Sequence, residues 1–213
     1  MRCLKYIVFS LCVLGLLKTS AQDIHFSQFN NSPLNLNPGL IGVFNGDYRF
    51  VGNQRTQWSS VTTPYSTFGL SADANGLFGS PIGAGLSMYN DKAGDSEFGT
   101  MQIGLGASYK MPLQDSSKNI IIGVQPVYTQ RRINYTKLQF DNQYNGNFYD
   151  ASLDNGEEFV NNGSNYFNMH AGIAYNNVIA QRKEVTAGFA FHNILRPEQT
   201  FFSENIPLHQ RFT

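Results

Sequence analysis

Alternation of apolar and polar residues along almost the whole chain constrains the fold more than any other feature. The clearest example lies between Gly99 and Met111, with an apolar face formed by Met101, Ile103, Leu105, Ala107, Tyr109 and Met111. Successive side chains of a β-strand point to opposite faces of its sheet, so this period of two predicts a strand with one apolar and one polar face. No segment after Gln22 shows the apolar spacing of an amphipathic helix.

The same alternation recurs along the chain and predicts an all-β, antiparallel fold. We predict seven strands and the start of an eighth, over residues 48–58, 67–74, 82–88, 99–111, 119–131, 167–176, 185–192 and 209–213. Many of these segments span about 10–13 residues, close to the ~9–11 of a tilted transmembrane strand and above the ~5–6 of an average soluble one. In a soluble sandwich the apolar face would point into a core, whereas in a membrane barrel it would point to lipid.

Two further features favour the barrel over the sandwich. Aromatic residues lie near the segment ends, as in the aromatic girdles of a barrel: Tyr48, Trp58, Tyr65, Tyr89, Tyr109, Tyr128 and Tyr175. The two long connections, residues 132–163 and 195–208, are both odd-numbered, whereas outer-membrane barrels combine short periplasmic turns with long outer loops. We therefore predict an outer-membrane β-barrel with a periplasmic N-terminus, Leu105 facing lipid and Ser108 facing the lumen.

The first twenty-one residues have the features of a secretory signal peptide. Arg2 and Lys5 precede an apolar run over residues 6–17, and Thr19-Ser20-Ala21 supplies small residues for cleavage. The predicted organisation is a signal peptide over 1–21, an N-terminal periplasmic segment over 22–47 and a transmembrane barrel over 48–213. Both cysteines, Cys3 and Cys12, lie in the predicted signal, so disulfides are not expected to stabilise the exported protein.

Charge and motif content narrow the functional classes. Lys and Arg together number 15, as do Asp and Glu, so the chain lacks the basic excess of a nucleic-acid binder. The four histidines are not at metal-ligand spacing, and no Gly-x-Ser-x-Gly motif is present. The segment from Asp141 to Gly146 begins like a calcium loop, but Ser152 stands where the bidentate Glu belongs. We predict no enzymatic activity, no cofactor and no metal.

Several motifs together resemble one known family. They are Gln-Asp-Ile-His-Phe-Ser-Gln-Phe at 22–29, Pro-Leu-Asn-Leu-Asn-Pro-Gly-Leu at 33–40, Phe-Asn-Gly-Asp-Tyr-Arg at 44–49 followed by Gln57-Trp58, Asn-Asp-Lys-Ala-Gly at 90–94, Gln-Arg-Arg-Ile at 130–133 and Phe-His-Asn at 191–193 before Arg196-Pro197. With these motifs the chain resembles the PorP/SprF family of type IX secretion system membrane proteins, found in Bacteroidetes-type bacteria.

The resemblance implies an outer-membrane β-barrel in the type IX secretion and gliding machinery. It implies a role in export or surface anchoring of secreted adhesins or other cargo with a C-terminal sorting domain, together with a peptidoglycan-binding periplasmic lipoprotein. Members are typically longer, so the chain is expected to lack the C-terminal third and to form part of a larger barrel. The alternative function is a passive outer-membrane channel for small solutes, which shares every strand-level feature.

The long connection over 132–163 is the predicted site of partner contact. It combines Asn and acidic residues with six aromatic side chains: Tyr135, Phe140, Tyr144, Phe148, Tyr149 and Phe159. Aromatic anchors among polar groups are typical of protein-contact surfaces, and connections above about 12–15 residues are often functional. A lid folded over the barrel mouth is the open alternative for this segment.

The signal-peptide interpretation predicts the N-terminus of the assembled protein. Cleavage after Ala21 leaves Gln22 first, in an exported chain without cysteine. Intact-mass and N-terminal peptide mass spectrometry of the purified membrane protein should find this species. Residues 1–21 still attached to the assembled protein would contradict both the cleavage site and the cysteine-free exported chain.

Overall fold

A computed structural model describes residues 24–60, 63–94, 97–113, 117–135, 138–156, 162–180, 183–199 and 206–213. The predicted signal peptide lies outside these residues. The strands are β1 (Tyr48–Gln57), β2 (Tyr65–Ala74), β3 (Ile82–Ala93), β4 (Phe98–Pro112), β5 (Lys118–Arg132), β6 (Gly163–Ala180), β7 (Lys183–His192) and β8 (Arg211–Phe212). Within the described ranges, helices are short turns, the one α-helix being α1 (Pro33–Leu36), and none could span a membrane.

The eight strands form a single antiparallel meander in which each strand pairs with its neighbour in sequence. The sheet curls into a half-barrel, with a concave and a convex face. Between β1 and β8 the described residues contain no ladder, so these two strands are the edges of the sheet. The predicted all-β, antiparallel barrel architecture and all eight predicted strands are confirmed, with β2 to β7 each extending beyond the predicted bounds.

The polarity of the sheet is the reverse of that in a soluble protein. Leu105 on the convex face is 62% exposed, and Phe167 on the same face is 69% exposed. The concave face buries polar side chains instead, among them Ser87, Gln125 and Thr129. A soluble sandwich would bury the apolar face, so this polarity favours the barrel and confirms the predicted register, with Leu105 outward and Ser108 inward.

The aromatic residues near the strand ends divide between the two faces. Tyr48, Trp58 and Tyr109 are exposed, in agreement with a girdle at a membrane interface. Tyr89 was predicted to belong to this girdle, and that prediction is wrong. Its ring is buried on the concave face, 6.0 Å from the Phe26 ring, because residue 89 lies on the polar side of the alternation in β3.

The two ends of the sheet differ in the length of their connections. The connections after β2, β4 and β6 cover residues 75–81, 113–117 and 181–182, and all are short. At the opposite end lie the connections after β1, β3, β5 and β7, including the two long ones at 133–162 and 193–210. Both long connections therefore lie at the same end of the sheet, as the sequence predicts.

Residues 24–47, here called the inner segment, lie on the concave face. Pro33 begins α1, and Pro38 begins a 3₁₀ turn (Pro38–Leu40), because a fixed φ and the missing amide are tolerated in the first turn of a helix. Asn37, between them, has an extended backbone conformation. The buried apolar residues of the structure include Leu34 and Ile41 from this segment, so the core lies between the segment and the sheet.

The polarity of the two faces predicts that an added charge costs more stability on the convex face than on the concave face. Leu105→Arg places a cation on the convex face and should destabilise the membrane-inserted protein by about 2–4 kcal/mol. Thr186→Arg, on the exposed part of the concave face of β7, should cost less than about 1 kcal/mol, because the cation remains hydrated.

Urea unfolding in lipid vesicles measures both free energies. Equal midpoints for the two variants would contradict the assignment of the convex face to lipid.

Candidate functional site on the concave face

The inner segment crosses the concave face and touches all eight strands. At the end carrying the long connections, the Arg55 guanidinium of β1 donates a hydrogen bond to the His25 carbonyl oxygen at 3.0 Å. At the end carrying the short connections, the Asn75 amide donates to the carbonyl oxygens of Phe44 and Gly46, both at 3.3 Å. The segment therefore runs along the strand direction and joins both ends of the sheet.

An ion pair between β1 and β2 holds the second half of the inner segment. Arg49 donates to Asp73 through Nε and Nη2, at 2.9 and 2.6 Å. The same guanidinium donates to the Leu40 and Val43 carbonyl oxygens, and the Asp73 carboxylate accepts a hydrogen bond from the Gly42 amide at 2.8 Å. The Asp73 side chain is fully buried, so each charge depends on the other and on the segment backbone for its solvation.

Asn37 connects the middle of the segment to β6. Its side-chain amide donates to the Ile173 carbonyl oxygen at 3.1 Å, while its oxygen accepts the Gly39 amide hydrogen at 2.7 Å. The amide thus satisfies one acceptor of the sheet and one donor of the 3₁₀ turn. An aspartate here would lack the donor, and a leucine would lack both groups.

The Asn35 and Leu36 carbonyl oxygens of the segment are hydrogen-bonded to side chains at the end of the sheet formed by the last two strands. His192 of β7 lies 3.2 Å from the Leu36 carbonyl oxygen through Nε2, and the Thr213 hydroxyl donates to the same oxygen at 2.9 Å. Arg211 of β8 donates to the Asn35 carbonyl oxygen at 3.2 Å. Backbone carbonyl groups of the segment therefore serve as acceptors for polar side chains of the sheet.

Glycines of the concave face allow this close approach. A Cβ atom at Gly123 would collide with the Pro38 carbonyl group, one at Gly172 with the Asn37 side chain, and one at Gly106 with the Ile41 side chain. At these glycines the inner segment therefore packs directly against the backbone of the sheet.

A buried polar network continues beyond the segment, toward the long connections. The Asn168 amide donates to the Asn193 side-chain oxygen at 2.8 Å, and the Asn193 backbone amide donates to His170 Nδ1 at 3.1 Å. The His170 and His192 rings lie 4.9 Å apart between centroids. Because His170 Nδ1 accepts a hydrogen bond, its ring is neutral in this arrangement with the proton on Nε2.

The site lacks the donor set of a metal centre. Across the described ranges, no three side chains of His, Cys, Asp or Glu lie close enough to hold a metal ion. A cavity of about 520 Å³ opens at the end carrying the short connections and is lined by Phe44, Lys110, Lys183 and Glu184, among others. This cavity mixes cationic, anionic and apolar groups, so its lining identifies no cofactor.

The predicted contact connection folds partly on itself around Gln143. The buried Gln143 side chain donates to the Leu153 carbonyl oxygen at 3.3 Å and accepts from the Phe140 amide at 3.2 Å. A bridge joins Tyr144 to Tyr149, and their rings lie 5.7 Å apart. The segment from 138 to 156 is thus a small ordered hairpin with its own interior.

The aromatic residues predicted for partner contact do not all lie at the surface of this hairpin. Tyr144 is 52% exposed and Phe148 is 62% exposed, so both rings are available to a partner. Tyr135, Phe140 and Tyr149 are half-buried, and partial burial raises the pKa of the Tyr135 hydroxyl. Phe159 lies outside the described residues. The contact assignment itself stays a prediction.

Asp150 and Asn145 stabilise turns of the hairpin through their side-chain oxygens. The Ser152 hydroxyl and amide donate to the Asp150 carboxylate at 2.6 and 2.9 Å and lower the pKa of Asp150. The Asn145 side-chain oxygen accepts from the amides of Asn147 and Phe148, both at 3.1 Å. These groups act as turn formers, in line with an Asn- and Asp-rich loop.

Sequence reasoning missed Arg49, Asp73 and Asn37 as site residues. Arg49 and Asp73 are opposite each other in the β1–β2 register, so opposite charges on the polar faces of neighbouring strands were the available signal. Asn37 gave no comparable signal, because an Asn between Leu and Pro is an ordinary turn sequence.

An antiparallel half-barrel with apolar side chains outward and polar groups inward defines a β-barrel membrane protein. A family model described as type IX secretion system membrane protein PorP/SprF matches residues 18–213. The chain therefore belongs to the PorP/SprF family and is a membrane component of the type IX secretion system. No curated protein and no solved structure matches it.

The close approach of segment and sheet predicts which glycines tolerate a methyl group. Gly123→Ala should destabilise the protein by about 1–3 kcal/mol, because its Cβ would displace the Pro38 carbonyl. Gly52→Ala is the matched control, since a Cβ there meets only Leu70 at 3.6 Å, an ordinary contact, and should be neutral or stabilising.

Urea midpoints of the two purified variants give the comparison. If Gly123→Ala has the same urea midpoint as Gly52→Ala, the inner segment does not pack against β5.

Proposed function

We propose that this type IX secretion membrane protein lies in the outer membrane and assists export or surface anchoring of secreted cargo that carries a C-terminal sorting domain. In this proposal the long connections face outward, and the short connections face a periplasmic, peptidoglycan-binding lipoprotein. The protein binds its partners and catalyses no reaction. Family membership and the two unlike ends of the sheet support this orientation.

The observation that carries the proposal is the occupied concave face. In a passive channel for small solutes, the polar face of the sheet lines an aqueous passage. Here polar side chains of that face, including Arg49, Asp73 and Ser108, bind the backbone of the inner segment instead. An occupied concave face favours a protein that binds partners at the two ends of its sheet over a channel that conducts small solutes along that face.

The ordered hairpin at 138–156 is the proposed contact with cargo at the cell surface. Tyr144 and Phe148 project from it as exposed aromatic rings, while Gln143 holds its interior. Rigid aromatic anchors surrounded by hydrated polar groups are characteristic of binding hot spots. The ring of the half-buried Tyr149 lies 5.7 Å from the Tyr144 ring and packs against it.

A double substitution tests this contact without removing the hairpin. Tyr144→Ser with Phe148→Ser removes both rings and retains Gln143, so the protein should insert normally while surface display of the partnered cargo falls by at least about tenfold. Phe78→Ser is the matched control, because Phe78 is 102% exposed in the short connection 75–81 at the opposite end. Quantitative mass spectrometry of surface-released and secreted proteins measures display.

Two results would contradict the proposed contact or the proposed function. Normal display in the double variant, with loss of display in Phe78→Ser, would move the contact to the opposite end of the sheet. Normal secretion after complete deletion of the gene, combined with single-channel conductance of the purified protein, would support the passive channel and contradict the proposal.

A further inference from the structure

The Arg49–Asp73 pair is the one ion pair within the described part of the chain, and Asp73 is the one buried carboxylate among the described residues. Asp73 is buried, and Arg49 is 22% exposed. Two strands that already pair through their backbones do not need a buried ion pair to stay together. The position of the ion pair therefore indicates that it holds the inner segment in place.

The pair contacts the segment over a short stretch from Leu40 to Val43. Three of its hydrogen bonds reach backbone groups there: the Leu40 oxygen at 3.0 Å, the Val43 oxygen at 3.3 Å and the Gly42 amide at 2.8 Å. Gly42 has φ +71°, a conformation that L side chains rarely adopt. The Arg49 guanidinium also lies 4.6 Å from the centre of the Phe44 ring.

The remaining attachments of the segment are spread along its length. Arg55 donates to the His25 carbonyl oxygen and Arg211 donates to the Asn35 carbonyl oxygen. The others are uncharged hydrogen bonds, such as Ser108 Oγ to the Ile41 oxygen at 2.7 Å, and small apolar contacts, such as Leu34 over Gly85. Cavities of about 350 and 330 Å³ border the segment along its Pro33–Leu36 side, so it is not packed tightly on every side. Hydrogen bonds to charged groups are stronger than neutral ones, and the Arg49–Asp73 pair makes three of them to the Leu40–Val43 stretch, so the pair is the strongest attachment of this part of the segment.

We propose that the inner segment is a releasable plug of the concave face and that the Arg49–Asp73 pair is the latch that keeps it seated. Release exposes the polar face of β2 to β5, including Ser87 and Gln125, and opens a groove as long as the strands. The latch acts on this one segment, because its hydrogen-bonding groups face the Leu40–Val43 backbone. Loss of the latch therefore loosens the plug before it loosens the sheet.

Cysteine accessibility in the full exported chain tests the latch. Ser87 is 1% exposed beneath the Leu34–Asn35 stretch, and Ser87→Cys is a small replacement in a chain whose predicted exported form has no other cysteine. A water-soluble maleimide should modify it slowly in detergent. Adding Asp73→Asn should raise the rate by at least about tenfold, because it leaves Arg49 without its counter-ion.

Two matched variants show whether the effect belongs to the latch. Asp91→Asn removes another inward-facing carboxylate, one that accepts from Thr67 at 2.5 Å, and should leave the rate unchanged. Arg49→Lys keeps the charge but loses the planar fork that reaches Leu40 and Val43, and should give an intermediate rate. Ser152→Cys, in the exposed hairpin, reports the unhindered rate in every background.

Far-UV circular dichroism separates plug release from unfolding. Rapid modification with full strand content supports the latch. An unchanged rate in folded Asp73→Asn, or an equal acceleration by Asp91→Asn, overturns it. If Asp73→Asn unfolds, Arg49→Lys decides, and a folded Arg49→Lys chain with an unchanged rate overturns the proposal.

Discussion

A sheet whose apolar face points outward must satisfy the polar groups on its inner face, and the rest of this structure depends on how that requirement is met. The inner segment supplies backbone carbonyl oxygens and amides where a soluble protein would supply a hydrophobic core. Arg49, Ser108 and His192, from three different strands, all contact those backbone groups. Polar groups left unpaired in this partly closed space would each cost about 1–3 kcal/mol, so the segment is part of the fold.

This requirement also explains the unusual composition of the inner face. Its glycines leave room for a second layer of backbone, and its Ser, Asn and Gln side chains reach that layer or one another. The resulting architecture separates two roles. The convex face and its exposed aromatic residues suit a lipid environment, while the hairpin at 138–156 and the cavity at the opposite end remain available for partners.

The strands could be predicted from the sequence because a period of two translates directly into two faces, as Leu105 and Ser108 show. The inner segment could not, because Leu34, Asn37 and Ile41 follow no period, and their partners lie as far as 136 residues away. The wrong assignment of Tyr89 has a different origin. Its position near a strand end favoured a membrane interface, although the alternation of β3 places it on the concave face, where Phe26 of the inner segment packs against it.

Photo-crosslinking from position 26 in intact cells tests most directly whether the inner segment occupies the concave face. Phe26 lies against Tyr89 and Gly69, so benzoylphenylalanine at position 26 should crosslink within the chain, to the tryptic peptide that begins at Thr56 and ends at Lys92. Mass spectrometry identifies the product. Crosslinks only to lipid or to other proteins, with none to this peptide, would contradict the placement of the inner segment on the concave face.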